Sequence, residues 1–356
     1  MGKRRKTRRE KRNQKKIIVI SALSLLLLIT VGYAAFSTNL SITAKGNVKE
    51  RNNLYVESNG SDETGNGTVN KPYKTVQKAY DSAWKNATIW IMDNITVDET
   101  IEFNQEKNIT LTSENNEINS LLRGEEDSML LLVNKGELTL TNITLDGLSK
   151  EANHSLLRVY QATVNLNAGT TIQNNIDLGD NGGGCNFSSS TVNIDGAKFI
   201  NNTAAKGGGG AFISRNTNVT INSGEFIGNA STNSTGGAIF FGDHGYTLTI
   251  NGGTFHDNTA NTNGGAITIA SASLKINNVE ISNNEAKTLN GGGIYIYALL
   301  SNPDHGYSKF TMNNGTITNN KAAKNGGGIY VAAGHTYNYV GGTITNNTPD
   351  NVYNAN

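Results

Sequence analysis

Cysteine and proline are scarce in this chain of 356 residues, which contains one cysteine and three prolines. The single thiol, Cys185, excludes an internal disulfide framework and a cysteine-based zinc site, since both bring several thiols together. It also argues against a lipid anchor on cysteine, because it lies far from the N-terminal hydrophobic segment. The 40 glycines fall far short of every third residue, which excludes collagen. The composition instead favours a fold with many tight turns.

A large surplus of charge is also missing, but the net charge of +1 is the sum of two opposite parts. Residues 1–16 hold ten Lys or Arg and one Glu, which leaves +9 in this arm and −8 in the remainder. Because the basic block is a terminal arm and the acidic body would repel phosphates, we expect no nucleic-acid partner.

The only long hydrophobic run spans residues 17–36 and carries no charge. Twenty residues at about 1.5 Å each match a hydrocarbon core of about 30 Å. Positive charge before the run and none directly after it predicts a cytoplasmic N-terminus and an extracellular body. The alternative is a cleaved signal, with Gly32, Ala34 and Ala35 near the cut, and a secreted body. The long basic arm favours retention in the membrane. Residues 37–53 read as a linker.

Two sequence blocks repeat with the same period beyond this linker. One is two glycines, a small residue and a hydrophobic residue, and its first glycines lie 27, 27, 28, 27 and 35 residues apart. The other is an apolar residue followed three positions later by asparagine. Such a shared period indicates a solenoid. The first block begins at Gly182, Gly209, Gly236, Gly264, Gly291 and Gly326; the asparagines are Asn175, Asn202, Asn229, Asn258, Asn284, Asn320 and Asn347.

Short alternating segments such as Val192–Ile194 and Val219–Ile221 lie between these blocks. They predict an all-β fold for residues 54–356, a right-handed parallel β-helix with three short strands per coil of about 27 residues. Glycine would form the corners, and asparagine would stack its amide on the asparagine of the next coil. Inward residues at one position of each coil would form a column of the core, namely Cys185, Phe212, Ile239, Ile267, Ile294 and Ile329.

A short helix is predicted before the coils, within Tyr73–Trp84. Val76, Ala79, Tyr80 and Ala83 share one helical face. Because a solenoid must cover its first hydrophobic layer, we interpret this helix as the N-terminal cap. No comparable cap follows Asn347, so the last coil is exposed, covered by residues 348–356 or joined to a partner.

The opening segments Leu54–Val56, Ser58–Asp62 and Pro72–Gln77, together with the coils, resemble the right-handed parallel β-helix proteins of the pectin-lyase-like superfamily. The repeated blocks resemble those of chlamydial polymorphic membrane proteins, which are adhesins. These resemblances imply the fold over residues 54–356, and they leave the activity open because the superfold carries lyases, hydrolases, tailspikes and adhesins. This chain lacks the autotransporter barrel of the chlamydial proteins.

An outward column of the same strands supplies the first candidate binding site. By alternation the column contains Phe240, Tyr295 and Tyr330, which stack one coil apart and offer aromatic surface to a sugar or a protein partner. The alternative is packing between strands that only stiffens the sheet. The remaining members of the column are Asn186, Ile213 and Thr268.

A repeated tetrapeptide supplies the second candidate site. It begins with Asp243 and His244 in one coil and with Asp304 and His305 in a later one, and His335 follows at the corresponding corner. His and Asp on neighbouring coils can bind a metal or a glycan. The alternative is turn sequence inherited through duplication of the repeat.

The sequence contains no nucleophilic triad or nucleotide-binding loop, and the polygalacturonase signatures Gly-His-Gly and Arg-x-Lys are missing. We therefore predict a surface protein, tethered through residues 17–36, that binds a polysaccharide or a cell-surface protein without a catalytic site, metal or cofactor. The alternative is a polysaccharide lyase or glycoside hydrolase that uses Asp177 and Asp180 or the Asp-His corners. Neither hypothesis fixes the oligomeric state.

Overall fold

The structure, a computed structural model, describes residues 9–10, 12–13, 15–16, 18–26, 52–114, 117–125, 127–179, 182–298 and 307–356. The chain divides into two units, Met1–Lys49 and Glu50–Asn356. In the first unit residues 18–26 are helical and exposed. Ile17 and residues 27–36 of the predicted membrane span, and residues 37–51 of the predicted linker, lie outside the described residues. None of the helices described combines the length and apolarity needed to cross a bilayer. The span stays a prediction.

The second unit is a parallel β-helix with three sheets in its described part. Sheet 1 has two arms. Two long strands, β16 (Thr191–Ile200) and β19 (Asn218–Ile227), run through both arms and contain a bulge where the chain bends from one arm to the other. The strands of sheet 1 are β1 (Asn53–Val56), β2 (Asn86–Ile91), β3 (Ile95–Val97), β5 (Asn108–Ser113), β6 (Asn119–Arg123), β8 (Glu137–Thr141), β9 (Ile143–Asp146), β12 (Thr163–Asn167), β13 (Thr171–Gln173), β16 (Thr191–Ile200), β19 (Asn218–Ile227), β22 (Thr247–Ile250), β23 (Thr254–His256), β26 (Ser273–Ile276), β27 (Glu280–Ser282), β30 (Lys309–Met312), β31 (Thr316–Thr318), β34 (Thr336–Tyr339) and β35 (Thr343–Thr345).

Seven of the coils then pass through a two-residue strand of sheet 3 and a longer strand of sheet 2 before the chain returns to sheet 1; the coils that contain β4, β7 and β36 have no strand of sheet 3. Sheet 2 contains β4 (Ile101–Phe103), β7 (Leu131–Val133), β11 (Leu157–Tyr160), β15 (Cys185–Ser188), β18 (Phe212–Arg215), β21 (Ile239–Gly242), β25 (Ile267–Ala270), β29 (Ile294–Tyr297), β33 (Ile329–Val331) and β36 (Val352–Asn354). Sheet 3 contains β10 (Glu151–Ala152), β14 (Ile176–Asp177), β17 (Thr203–Ala204), β20 (Ala230–Ser231), β24 (Thr259–Ala260), β28 (Glu285–Ala286) and β32 (Lys321–Ala322).

The predicted inward column is confirmed. Cys185 pairs with Phe212, and the register continues through every predicted member to Ile329, all fully buried. A second column stacks phenylalanines, with ring centroids 4.8 Å apart for Phe199 and Phe226 and 4.3 Å apart for Phe226 and Phe255. Burial raises the pKa of the Cys185 thiol well above its usual value, so this cysteine acts as an apolar filler.

A ladder of buried asparagine side chains closes the corner between sheets 1 and 3. Asn202 donates from its backbone N–H and from Nδ2 to Oδ1 of Asn229, at 3.1 Å each. Asn229 binds Asn258 in the same way and donates from Nδ2 to the carbonyl oxygen of Phe199 at 2.9 Å. Each amide therefore joins three neighbouring coils. Related bonds link the whole predicted series, Asn175, Asn202, Asn229, Asn258, Asn284, Asn320, Asn347, and continue to Asn351.

The backbone at the two corners explains the composition. The residue before each ladder asparagine has φ near +55°, as in Asn201 and Asn283, a conformation that asparagine tolerates. In the glycine block, Gly236 has φ of +71°. The next glycine, Gly237, passes so close to the following coil that a Cβ would overlap the carbonyl oxygen of Gly265. The first glycine of the block thus allows a positive φ, and the second leaves space for the backbone of the next coil.

The first coils are covered by the expected helix, α1 (Val76–Ser82), which is shorter than the predicted segment. Thr75 caps it by accepting a hydrogen bond from the backbone N–H of Lys78. Tyr73, at the start of the predicted segment, forms a bridge to Val56 and so belongs to the extended chain. Val76, Ala79 and Tyr80 are buried, as a cap requires.

The N-terminal end of the asparagine ladder is closed by Arg123, which is only 2% exposed. Its Nη2 donates to Oδ1 of Asn175 at 3.0 Å and to the carbonyl oxygen of His154 at 3.2 Å. Gly147 lies in the coil between them, and a Cβ there would lie 2.9 Å from Oδ1 of Asn175. A side chain at Gly147 is therefore excluded by the close approach of the next coil, where a Cβ would lie 2.5 Å from the carbonyl oxygen of Asn174.

We predict that Asn229→Ala lowers the free energy of unfolding by about 3 kcal/mol, because two donors of Asn202 and the carbonyl of Phe199 lose a buried partner. The matched control is Asn222→Ala, which removes an exposed amide bonded to Asn251 at 2.9 Å, and which should cost less than about 1 kcal/mol. Urea unfolding followed by circular dichroism measures both. Equal losses would contradict a dominant role for the buried ladder.

Candidate functional site

The predicted outward column forms on the exterior of sheet 2. Phe240 pairs with Thr268, Thr268 with Tyr295 and Tyr295 with Tyr330, and the column continues to Tyr353. We call the outward residues of β11 to β36 in this sheet the tyrosine face. They are Arg158, Tyr160, Asn186, Ser188, Ile213, Arg215, Phe240, Gly242, Thr268, Ala270, Tyr295, Tyr297, Tyr330 and Tyr353.

Three tyrosines of this face stack on one another along the helix axis. The ring centroids of Tyr295 and Tyr330 are 5.2 Å apart, as are those of Tyr330 and Tyr353, with interplanar angles of 29° and 9°. The rings therefore cover each other's faces, and the stack presents ring edges and hydroxyl groups outward. Tyr353 is 38% exposed, and Tyr295 and Tyr330 are partly exposed.

Tyr297 extends the aromatic surface sideways. Its ring centroid lies 5.2 Å from that of Tyr295. The preceding coils carry Ala270 and Gly242 at its position, and Ala270 is fully buried although it points outward. Burial raises the pKa of Tyr297, and the positive charge of Arg215 opposes that shift. The tyrosines and Arg215 thus belong to one continuous surface.

The other half of the column follows the packing alternative. Ile213 is 4% exposed, and Thr268 is fully buried with its hydroxyl 2.6 Å from that of Thr235. Phe240 is partly buried and packs against the corner at Gly208, where a Cβ would lie 2.9 Å from its ring. The three predicted aromatic residues share one face, but the accessible part is at Tyr295 and Tyr330.

The charge on this face differs from that of the whole β-helix. Both arginines between residues 130 and 356, Arg158 and Arg215, lie on it and are exposed. Among the outward residues described in sheet 2, no lysine is found and the one acidic residue is Glu102 on β4.

Tyr297 and Tyr353 are members of the tyrosine face that were not predicted from the sequence. Alternation from Tyr295 and alignment of the last repeat would have indicated them.

The Asp-His corners give no common site among the described residues. Asp243 has φ of +88° and donates its backbone N–H to the carbonyl of Ala270, so it shapes a turn, while His244 is exposed. Asp304 and His305 lie outside the described residues. The part of the chain that the structure describes has no group of three or more His, Cys, Asp or Glu able to hold a metal.

His335 is buried, in contrast to the expectation of a surface ligand. It is 7% exposed, and its Nδ1 accepts the backbone N–H of Ser308 at 2.9 Å, which places the proton of the neutral ring on Nε2. Burial lowers the pKa of the ring, and the hydrogen bond that Nδ1 accepts from Ser308 also favours the neutral form. The ring of Tyr307 packs edge-on against the imidazole, with the two centroids 6.0 Å apart.

Asp177, the carboxylate of the catalytic alternative, is fully buried. Its Oδ1 accepts the backbone N–H of Gly179 at 2.7 Å. Burial lowers the pKa of Arg123, and the carboxylates of Asp127 and Asp177 oppose that shift, so Asp177 stabilises the buried cation. Asp180 lies outside the described residues. The geometry of Asp177 fits a structural role.

Comparison with known proteins identifies no family for this chain. No protein-family model and no curated protein matches the chain. A solved structure of a rhamnogalacturonan lyase aligns with 76% of this chain and 69% of its own, with 12% identity and a TM-score of 0.37. A likeness at this level carries no argument about activity. The β-helix follows from the strand pairings themselves, and the resemblance to chlamydial repeats stays a prediction.

The tyrosine face makes stability sensitive to alkali. Burial first, and then Tyr330 and Tyr297, raise the pKa of Tyr295 from 10.0 to about 12. Between these values the unfolded chain loses the proton that the folded chain keeps, so stability falls as pH rises from 10 to 12. We predict that Tyr295→Phe makes the decline of the free energy of unfolding less steep over this interval. Urea titrations at several pH values measure it; an unchanged slope would contradict the assignment.

Proposed function

We propose that this chain is an exported surface protein, tethered through residues 17–36, that binds a protein partner through the tyrosine face without catalysing a reaction. The observation that carries the proposal is the partly exposed stack of Tyr295, Tyr330 and Tyr353 on a face that also presents Arg215. Aromatic residues and arginine are enriched in the cores of protein interfaces, where lysine and acidic residues are depleted.

The stacking geometry favours a protein over a glycan at this face. A sugar ring packs on the flat face of an aromatic ring, and in this stack those faces are largely turned toward neighbouring tyrosines. Ring edges and phenol hydroxyls remain, and these suit hydrogen bonds and side-chain packing from a protein surface. The charges of Arg158 and Arg215 favour an acidic patch on the partner.

We predict that beads coated with the full-length protein adhere to cells of its natural surroundings and that the double change Tyr295→Ala and Tyr330→Ala reduces adhesion at least about fivefold. Two aromatic anchors are lost, and hot-spot residues of this kind dominate interfaces. Tyr339→Ala is the matched control and should leave adhesion unchanged, since this tyrosine is 49% exposed but lies on β34 of sheet 1, outside the tyrosine face.

The same assay separates the partner classes. Protease treatment of the target cells should abolish adhesion, and periodate, which destroys sugar rings, should leave it intact. Adhesion that survives protease and is lost with periodate would replace the protein partner by a glycan. Adhesion that is equal for all variants would remove the tyrosine face from the function.

The lyase or hydrolase alternative lacks a supporting observation at Asp177, whose carboxylate is buried. Its test is the release of reducing ends from polyuronides by the full-length chain, with Asp177→Asn as the variant.

The tether generates a separate prediction. In intact cells, an external protease should remove an epitope tag placed after Asn356 and leave a tag before residue 1 protected, because the +9 arm stays in the cytoplasm. Immunoblots of treated cells measure this. A protein found in the medium, with a new N-terminus near Ala35, would show signal cleavage in place of a tether.

A further inference from the structure

A polar groove of about 660 Å³ crosses the corner at which each coil turns from sheet 2 to sheet 1. It spans consecutive coils from Glu106, through Glu137, Gln161 and Ser189, to Asn216 and Tyr246. A second groove of about 510 Å³ adjoins it and shares Asn108 and Glu137. Volumes of this size match small-molecule sites. The tyrosine face contributes no lining residue to either groove, although Gln161, Ser189 and Asn216 directly follow three of its residues along the chain.

The floor of the groove carries unpaired hydrogen-bonding groups at a regular spacing. Gln161, Ser189 and Asn216 occupy the same corner position in three successive coils, with φ of 53°, 52° and 50°. Their side chains therefore repeat at the coil spacing of about 4.8 Å. Within the described part of the chain these three side chains make no hydrogen bond, and neither do the hydroxyls of Thr163 and Thr191.

The exposed amides in one other series of coil positions behave differently. At another corner, Asn277 donates to Oδ1 of Asn251 at 2.6 Å and Asn313 donates to Oδ1 of Asn277 at 2.7 Å. There the repeating side chains satisfy one another. The groove is thus a row of amides and hydroxyls whose hydrogen bonds stay open to a ligand.

Charge restricts the class of ligand. The groove contains the carboxylates of Glu106 and Glu137 and, among the lining residues that the structure describes, no Lys, Arg or His. Asn165 holds the Glu137 carboxylate in place by donating to Oε1 at 2.6 Å. An anionic polymer would meet two negative charges without a counter-charge, so the groove disfavours polyuronides and phosphate polymers.

The Asp243–Tyr246 turn closes one end. It is the tetrapeptide singled out in the sequence, and its tyrosine, partly buried against the core, lines the groove while His244 points to solvent. The aromatic ring of Tyr246 supplies an apolar surface beside the polar row. A ligand for such a site combines many hydroxyl groups, apolar C–H faces and a linear repeat.

We infer that this groove binds an uncharged, linear glycan, so that the protein carries two binding surfaces, one for a glycan and one for the partner of the tyrosine face. The inference stands on residues that the proposed function does not use.

The test measures binding of cellohexaose, chitohexaose, mannohexaose and hexagalacturonate by calorimetry to the full-length chain in a detergent without a sugar headgroup. We expect an uncharged hexasaccharide to bind and hexagalacturonate to bind at least about tenfold more weakly. The double change Gln161→Ala and Asn216→Ala should weaken the uncharged ligand at least about tenfold. Asn251→Ala with Asn277→Ala is the matched control and should leave binding unchanged, since those amides are paired with each other.

Two further variants keep the test decisive. Glu106→Gln with Glu137→Gln preserves shape and should raise the affinity for hexagalacturonate. Tyr330→Ala should change nothing, so failure of the groove and failure of the tyrosine face are distinguishable. The inference is overturned if none of the four probes binds below about 1 mM, if hexagalacturonate binds best to the wild type, or if the groove variants bind like the control.

Discussion

The structure depends on a hydrogen-bonding requirement at one corner of each coil. Where the chain leaves sheet 1, some backbone N–H and C=O groups no longer pair with a neighbouring strand. These groups are buried at the corner. Asparagine meets this need with one side chain, because its amide accepts from the preceding coil and donates to a backbone carbonyl. A buried hydrogen-bonding group without a partner costs about 1–3 kcal/mol of folding free energy. A substitution at this corner is therefore more destabilising than most substitutions on the surface.

Other features of the composition follow from this corner. The residue before the ladder asparagine adopts a positive φ. The residue that faces the asparagine amide must be small, since a Cβ on Gly328 would lie 2.9 Å from Nδ2 of Asn347. Close backbone approach at the second glycine of each block excludes a side chain there. The abundance of glycine and asparagine thus reflects positions that repeat once per coil.

Much of this architecture is predictable from the sequence, because a period shared by two blocks fixes which residues stack. The inward column and the asparagine ladder follow directly, since each member sees the same neighbours. The accessible part of the tyrosine face does not follow, because the burial of Thr268 depends on Thr235 from a neighbouring corner. The same holds for His335, whose ring accepts the backbone N–H of Ser308, and for Arg123, which reaches Asn175 across an intervening coil.

The sequence indicates the tyrosine face more readily than it indicates the polar groove. Aromatic residues at one repeat position attract attention in any alignment of the coils. The groove residues are common turn formers, and only the structure shows that their amides remain unpaired while similar amides elsewhere pair with each other. The same type of amide side chain is thus open to a ligand at one corner and already hydrogen-bonded at another, depending on whether the neighbouring coil offers a partner.

The way the ladder ends has a consequence for how such a chain can change in length over evolutionary time. Arg123 at one end and Asn351 at the other satisfy the terminal amides, and the five joints from Asn202 to Asn347 each have the same pair of bonds. A whole coil can therefore be duplicated or deleted without creating a new kind of junction. Partial insertions are tolerated at the opposite corner, where no buried amide must stay in register, and the turn at Asp243–Tyr246 occurs there. The fold thereby allows the number of coils to change without altering the asparagine ladder, and allows the turns at the opposite corner to change in length and sequence.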